Sequence, residues 1–222
     1  MSDAPLVNYK VDGHVATIQL NRAKAMNAMN HDLRMAIRAA QAQAEADEAV
    51  RVIVLTGSGN SFTSGTDLKE LGDFVTRKGM FDISVRDYKP ILDGISRSEK
   101  LYVAAINGVA GGVGLSIALT CDLAIMAKSA TCFAPFSNIG LVPDGGLSWL
   151  LLQHMGSKRA LAVIAEAQHV DDATCLDLGL VSNVAGDDEL LVVSQSDVGN
   201  VRPIPRNDLE GAAHGVGLRR EG

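Results

Sequence analysis

The chain has 222 residues, 47% of them apolar but only 4% aromatic, with a formal net charge of −6. That length can bury one sizeable core of Ala, Val, Leu and Ile, as one large domain or one domain plus an appendage. The acidic balance and the lack of a Lys/Arg cluster argue against a nucleic-acid surface.

In chain order, residues 7–10 and 15–20 alternate apolar and polar around Asp12-Gly13, which predicts a β-hairpin. Residues 21–29 read as a loop. Asn30 is placed to cap a helix running to about 47, with Leu33, Ala36, Ile37, Ala40 and Ala44 on one face. The continuous apolar run 52–55 predicts a strand covered on both faces. A polar, glycine-bearing loop over 57–67 precedes a helical turn at 68–71. Residues 80–98 have the pattern of an amphipathic helix with a kink or break at Pro90. Strands are expected at 101–106, 123–126 and 131–134. A glycine-bearing loop, 140–146, opens onto a helical run at 147–152, followed by helices at 158–167 and 171–178 and a strand at 180–184. Short buried strands alternating with helices indicate an α/β fold.

After Leu191 the composition changes. Residues 194–222 mix Gly, Pro, Asn, Asp and Arg without helical or strand period, which predicts a tail. The chain thus divides into a domain over 1–191 and an irregular, disordered tail over 192–222. Cys121, Cys132 and Cys175 stand in apolar contexts without CxxC spacing, as expected of buried free thiols in a reducing compartment. Residues 1–8 lack signal-peptide character, and no apolar run reaches the roughly 18 residues of a membrane span. The expectation is a cytoplasmic protein. The five histidines are scattered, so no metal site is expected.

The chain is organised around Ile106-Asn107-Gly108-Val109-Ala110-Gly111-Gly112-Val113-Gly114, a glycine-rich turn between an apolar strand and an apolar helix. Glycine lets the backbone pass close to another group, and the first N–H groups of a helix lack internal partners. Such a turn can receive an anion or a developing oxyanion. It can equally serve only tight strand–helix packing.

Three segments in this order resemble the crotonase (enoyl-CoA hydratase/isomerase) superfamily. They are Phe62-Thr63-Ser64-Gly65-Thr66-Asp67-Leu68-Lys69, then Asn107 to Gly114 with Ala118-Leu119-Thr120-Cys121-Asp122, then Ile139-Gly140-Leu141-Val142-Pro143-Asp144-Gly145-Gly146. Leu20-Asn21-Arg22 and Asn27-Ala28-Met29 fit as well, although Ala23 stands where the family usually has proline. The resemblance covers roughly residues 5–190. It implies a spiral of ββα units with the C-terminal helical region truncated or replaced by the irregular tail, and assembly as a homotrimer or hexamer. It also implies an acyl-CoA thioester substrate, coenzyme A being part of that substrate and no separate cofactor being needed.

By correspondence, the backbone N–H groups of Thr66 and Val113 would hold the thioester oxygen. The family most often has alanine and glycine there. Adenine and pantetheine would run along Lys24, Ala25 and Met26 and along Ser64, Gly65, Asp67, Leu68 and Lys69, with Gly112, Phe136 and Trp149 completing the substrate site. Asp67 has a plainer reading as a loop brace, Lys69 as a solvated lysine, and Trp149 as core or pocket wall. Ser116 reads as an inward-facing helix serine, and Asp122 as structural.

Two glutamates hold the water in hydratases of the family. Ser116 and Phe136 stand at those places, which argues against hydration. Asp144 supplies a different carboxylate, as in enoyl-CoA isomerases and the ring-epoxide isomerase of the family. One acid poised over two carbons suffices for a 1,3-proton transfer. Apolar neighbours would raise its pKa. The competing readings are that Asp144 caps the helix beginning near Gly145, or that it is the nucleophile of a dehalogenase or hydrolase. A further alternative is an inactive or impaired acyl-CoA-binding relative, on account of the altered C-terminal region. Acyl-chain specificity is expected from residues 74–90.

Overall fold

The computed structural model describes residues 4–71 and 77–196. The expected hairpin opens the chain. β1 (Val7–Asp12) pairs antiparallel with β2 (Val15–Leu20), Val7 facing Leu20 and Asp12 facing Val15. β1 is an edge with mostly exposed side chains, whereas Ala16, Ile18 and Leu20 of β2 point into the core. The Asn30 side chain accepts the N–H of Leu33 at 3.1 Å and so starts α1 (His31–Ala46). Its stripe of Leu33, Ile37, Ala40 and Ala44 is buried.

β3 (Val52–Gly57) is buried along its whole length, as its continuous apolar run requires. The segment read as a loop contains β4 (Ser61–Thr63), and α2 (Leu68–Leu71) follows. The amphipathic run next in the chain is α3 (Arg77–Ile83), a π-helical turn over Ser84–Tyr88, and α4 (Lys89–Ser96). The irregularity at Pro90 is therefore a widened turn: Lys89 N–H bonds the carbonyl of Ser84, five residues back. A proline ring crowds the carbonyl four residues before it and offers no N–H to it, and a wider turn relieves both problems.

β5 (Leu101–Ile106) and β6 (Val109–Gly111) lead into α5 (Val113–Thr120), buried at seven of its eight positions. β7 (Leu123–Ala127), β8 (Thr131–Phe133) and α6 (Leu147–Ala165) repeat the pattern. β9 (His169–Asp171), α7 (Asp172–Asp177), β10 (Asn183–Ala185) and α8 (Leu190–Ser196) complete the described fold.

The strands form two sheets, ordered β1-β2-β3-β5-β7-β10 and β4-β6-β8-β9. Apart from the antiparallel pairs β1/β2 and β8/β9, the strand pairings among the described residues are parallel. The successive pairs β3/β4, β5/β6 and β7/β8 each give one strand to each sheet, which is the expected spiral of ββα units.

The structure corrects several boundaries. The two helices read at 147–152 and 158–167 are the two halves of α6, which break at the non-helical backbone of Gly156 (φ 74°, ψ 165°); the second half ends at Ala165. The strand expected at 180–184 is β10 at Asn183–Ala185, with Leu180 and Val181 buried just before it. α8 crosses the point where a tail was expected to begin. Leu190 and Ser194 are buried, and Gln195 Nε2 donates to Thr17 Oγ1 at 3.1 Å. Residues 197–222 lie outside the described part. Cys121, Cys132 and Cys175 are buried and form no disulfide among the described residues. No helix among the described residues is long and apolar enough to cross a membrane.

Candidate active site

Two asparagines hold the loop between β3 and β4. Asn27 is fully buried and donates to the carbonyls of Ser58 and Ser61 at 2.9 and 2.7 Å, while its own oxygen accepts the N–H of Arg22 at 2.9 Å. Asn107, after β5, accepts the Gly57 N–H at 3.0 Å and donates to the Gly59 carbonyl at 2.8 Å. Short polar side chains of this kind can substitute for the missing ladder partners of a buried loop.

The loop then runs against the glycine-rich turn. Gly65 has φ +97°, and a Cβ there would lie 2.8 Å from the Gly111 carbonyl oxygen and 3.6 Å from Gly112 Cα. Only glycine permits this approach. One residue further, Thr66 forms a parallel bridge with Met29: Met29 N–H bonds the Gly65 carbonyl at 2.8 Å, and Asp67 N–H bonds the Met29 carbonyl at 3.2 Å. Backbone groups alternate sides along an extended segment, so the Thr66 N–H points away from Met29. Gly112 (φ +54°) sits directly before α5, whose first residue is Val113. An N–H in the first turn of a helix has no partner within the helix. Thr66, Gly112 and Val113 line one cavity of about 80 Å³ together with Asp144.

Asp144 approaches that cavity from the loop between β8 and α6. Its Oδ1 is buried and has no hydrogen-bond partner among the described residues. Burial raises its pKa from 3.8 to about 6, with a smaller opposing effect from a hydrogen bond to its own backbone. The remaining walls are largely apolar and include Leu68, Met80, Pro135, Phe136, Ile139 and Leu141. The capping role considered for Asp144 does not hold. α6 begins at Leu147, its N-cap is Gly146, and no side chain caps it. The main chain of Asp144 has a structural part instead, its carbonyl accepting Leu147 N–H at 3.0 Å and Ser116 Oγ–H at 3.1 Å.

Of the other residues singled out in the sequence, Ser64, Leu68, Gly112 and Phe136 line the cavity, and Gly65 shapes it from behind. Lys24 and Ala25 lie in a 3₁₀ turn (Ala23–Ala25) closed by Met26. None of these three lines the cavity, but the Met26 carbonyl accepts Ser64 N–H at 3.0 Å, so the strip borders the loop. Asp67 is a brace: it pairs with Arg22 at 3.0 Å and accepts Lys69 N–H at 3.1 Å. Lys69 is exposed. Trp149 is 62% exposed on α6 and is neither core nor pocket wall, because the helical turn carries it away from the cavity. Asp122 is structural, accepting Tyr102 N–H at 2.8 Å. Phe74, at the start of the expected specificity region, lies outside the described residues.

Sequence reasoning missed a buried polar group behind Thr66. Tyr88 is 1% exposed, and its hydroxyl lies 2.8 Å from Thr66 Oγ1. Burial pushes its pKa up to about 12, against the opposing effects of Thr66 and Arg34. Arg34 is buried on α1 and pairs with Glu70 at 2.9 Å and Asp87 at 2.8 Å. The one available signal was an arginine at position 34, one residue after Leu33 of the apolar stripe.

The spiral of ββα units and the pocket at its two glycine-bearing loops define a crotonase-type α/β protein. Residues 10–196 match the family model described as Enoyl-CoA hydratase/isomerase, and the chain belongs to that family. It is 35% identical, over 79% of its own length and 66% of the relative's, to a protein of Rhodobacter capsulatus named "Probable enoyl-CoA hydratase". It is 32% identical, over 83% of its length and 71% of the relative's, to the 1,2-epoxyphenylacetyl-CoA isomerase of Escherichia coli. The chain thus spans about two thirds of the length of these relatives. Among solved structures, an enoyl-CoA hydratase/isomerase from Pseudoalteromonas atlantica superimposes with a TM-score of 0.81 at 31% identity, covering 96% of this chain and 84% of that one.

Proposed function

We propose that the protein is an acyl-CoA isomerase that moves a double bond by a 1,3-proton transfer. The carrying observation is the buried, unpartnered carboxyl oxygen of Asp144 in an apolar pocket shared with Thr66 and Val113. Asp144 takes a proton from the carbon next to the thioester carbonyl. The electron pair left behind delocalises onto the thioester oxygen as an enolate, and the same acid returns the proton two carbons further along. The N–H groups of Thr66 and Val113 stabilise the oxygen while it is negative. Fixed donors in a site with little water need no reorganisation, and losing one typically costs about 3–4 kcal/mol of barrier.

Isomerisation is favoured over hydration because Asp144 is the single carboxylate among the described residues lining the pocket. Ser116 Oγ is engaged by the Asp144 carbonyl, and Phe136 offers only a ring. Neither prepares a water molecule. On this reading the substrate is a cytoplasmic acyl-CoA thioester and no other cofactor takes part. The exposed Trp149, Leu152 and Leu161 of α6 support burial in a trimer or hexamer, which native mass measurement tests. Turnover of 3-hexenoyl-CoA to its 2-enoyl isomer is the direct assay. Asp144→Asn is expected to abolish it, and unchanged turnover in that variant overturns the reading.

A further inference from the structure

Tyr88 takes no part in the chemistry proposed above, yet it is tied to the same residue. A phenol removed from water needs a hydrogen-bond partner, and Tyr88 finds one in Thr66 Oγ1 at 2.8 Å. The π-helical turn over Ser84–Tyr88 sets the inward aim of the ring.

The contacts form a closed circuit. The Arg34 guanidinium lies 5.4 Å from the centre of the Tyr88 ring, within reach of its π face. Arg34 Nη1 also donates to the Met29 carbonyl at 2.7 Å. That carbonyl accepts Asp67 N–H, and Met29 N–H bonds the Gly65 carbonyl. The peptides on both sides of Thr66 are therefore anchored to Met29, and its side chain is anchored to Tyr88. Arg34 backs both anchors and is itself held by Glu70 and Asp87. Beside the Met29 bridge and the Asp67–Arg22 pair, the hydroxyl contact is the tether on the Thr66 side chain itself.

We infer that Tyr88 is a positioning residue, which aims the Thr66 N–H into the pocket through the hydroxyl-to-hydroxyl hydrogen bond and is backed by Arg34. The inference rests on the reading of Thr66 N–H as a donor to the thioester oxygen. A misdirected donor loses its effect on charge that develops at one point, because hydrogen bonds weaken steeply with angle.

The test uses acetoacetyl-CoA, whose α-proton is acidic and whose enolate absorbs apart from the keto form. Donors at the thioester oxygen raise the enolate fraction of the bound compound. Wild type is expected to show the enolate band. Tyr88→Phe keeps the ring and its contact with Arg34 but lacks the hydroxyl. It should lower the enolate-to-keto ratio about tenfold and reduce kcat for 3-hexenoyl-CoA more than it raises KM. Thr66→Ser should retain more of the band than Thr66→Val, and this pair decides the matter if Tyr88→Phe does not fold. A strong band in wild type that is equal in Tyr88→Phe, or equal in the two Thr66 variants, overturns the positioning role and leaves the isomerase reading standing. Absence of the band from wild type removes the donor reading itself, and the inference falls with it.

Discussion

Ser116 Oγ, in the first turn of α5, donates a hydrogen bond of 3.1 Å to the carbonyl oxygen of Asp144. The helix that presents Val113 to the pocket is thereby joined to the loop that presents the acid. A Cβ on the next residue, Gly145, would fall 2.9 Å from Ser116 Cβ, so the two segments are in close contact. Ser116→Ala keeps the packing and removes the bond, while Leu147 N–H still serves the carbonyl. The expected result is a loss of about 1 kcal/mol in stability, read by urea denaturation. A fall in kcat larger than any rise in KM should accompany it, because the acid is less firmly placed.

The carboxyl of Asp144 must be ionised to accept a proton. With its pKa raised to about 6, kcat/KM should be low in acid and rise with pH through about 6 before levelling. A base with an ordinary carboxylate pKa would put that limb about two units lower. Rates measured between pH 4.5 and 8 distinguish the two, and a profile flat across pH 5 to 7 would sink this prediction.

The same burial makes Asp144 costly to the fold. Its folded pKa lies above the unfolded value of 3.8, so the native state binds more protons between 3.8 and about 6. Stability therefore falls as pH rises through that window, and the penalty is fully present above it. A shift of this size corresponds to about 3 kcal/mol at most. Asp144→Asn should accordingly raise Tm at pH 7 by several degrees and change it little at pH 4, while turnover is lost. Calorimetry at both pH values checks the sign.

Gly65→Ala places a methyl group 2.8 Å from the Gly111 carbonyl oxygen, at a backbone φ of +97°. The obstacle is main chain and cannot swing aside. The expected cost is on the order of 2–3 kcal/mol. Activity should fall further than stability does, because the two loops can separate only by moving Thr66 away from Val113. Thermal unfolding and kcat/KM of the purified variant test this.

Arg34→Met retains an unbranched side chain of similar bulk but leaves Glu70, Asp87 and the Met29 carbonyl without their common cation. Removing one partner of a buried ion pair typically costs about 3–5 kcal/mol. Urea denaturation should show a loss near the lower end of that range, since Glu70 is partly exposed. A loss below about 1 kcal/mol would mean that the cluster contributes little.

Much of the fold was legible in the sequence because its long elements have clear periods. The hairpin, α1 with its Asn30 cap and the buried β3 each follow from local pattern alone. The three-residue strands β4, β6 and β9 did not, because so short a segment has too few positions to display alternation. The two helical stretches on either side of Gly156 were legible as well, and only their ends shifted. The loop residues Thr66, Val113 and Asp144 were named from motif order. Trp149 was misplaced because sequence gives a helix but not which way each side of it turns.

By itself the sequence determined the chemistry available: which loops carry glycine where backbones must touch, and which acid stands between apolar neighbours. Only the tertiary structure decided that Oδ1 of the acid is buried, that the acid shares one cavity with Thr66 and Val113, and that Tyr88 and Arg34 stand behind them. The physical reason is that spacing and composition act locally along the chain. Burial, desolvation and the meeting of residues 34, 66, 88 and 144 depend on contacts between segments far apart in it.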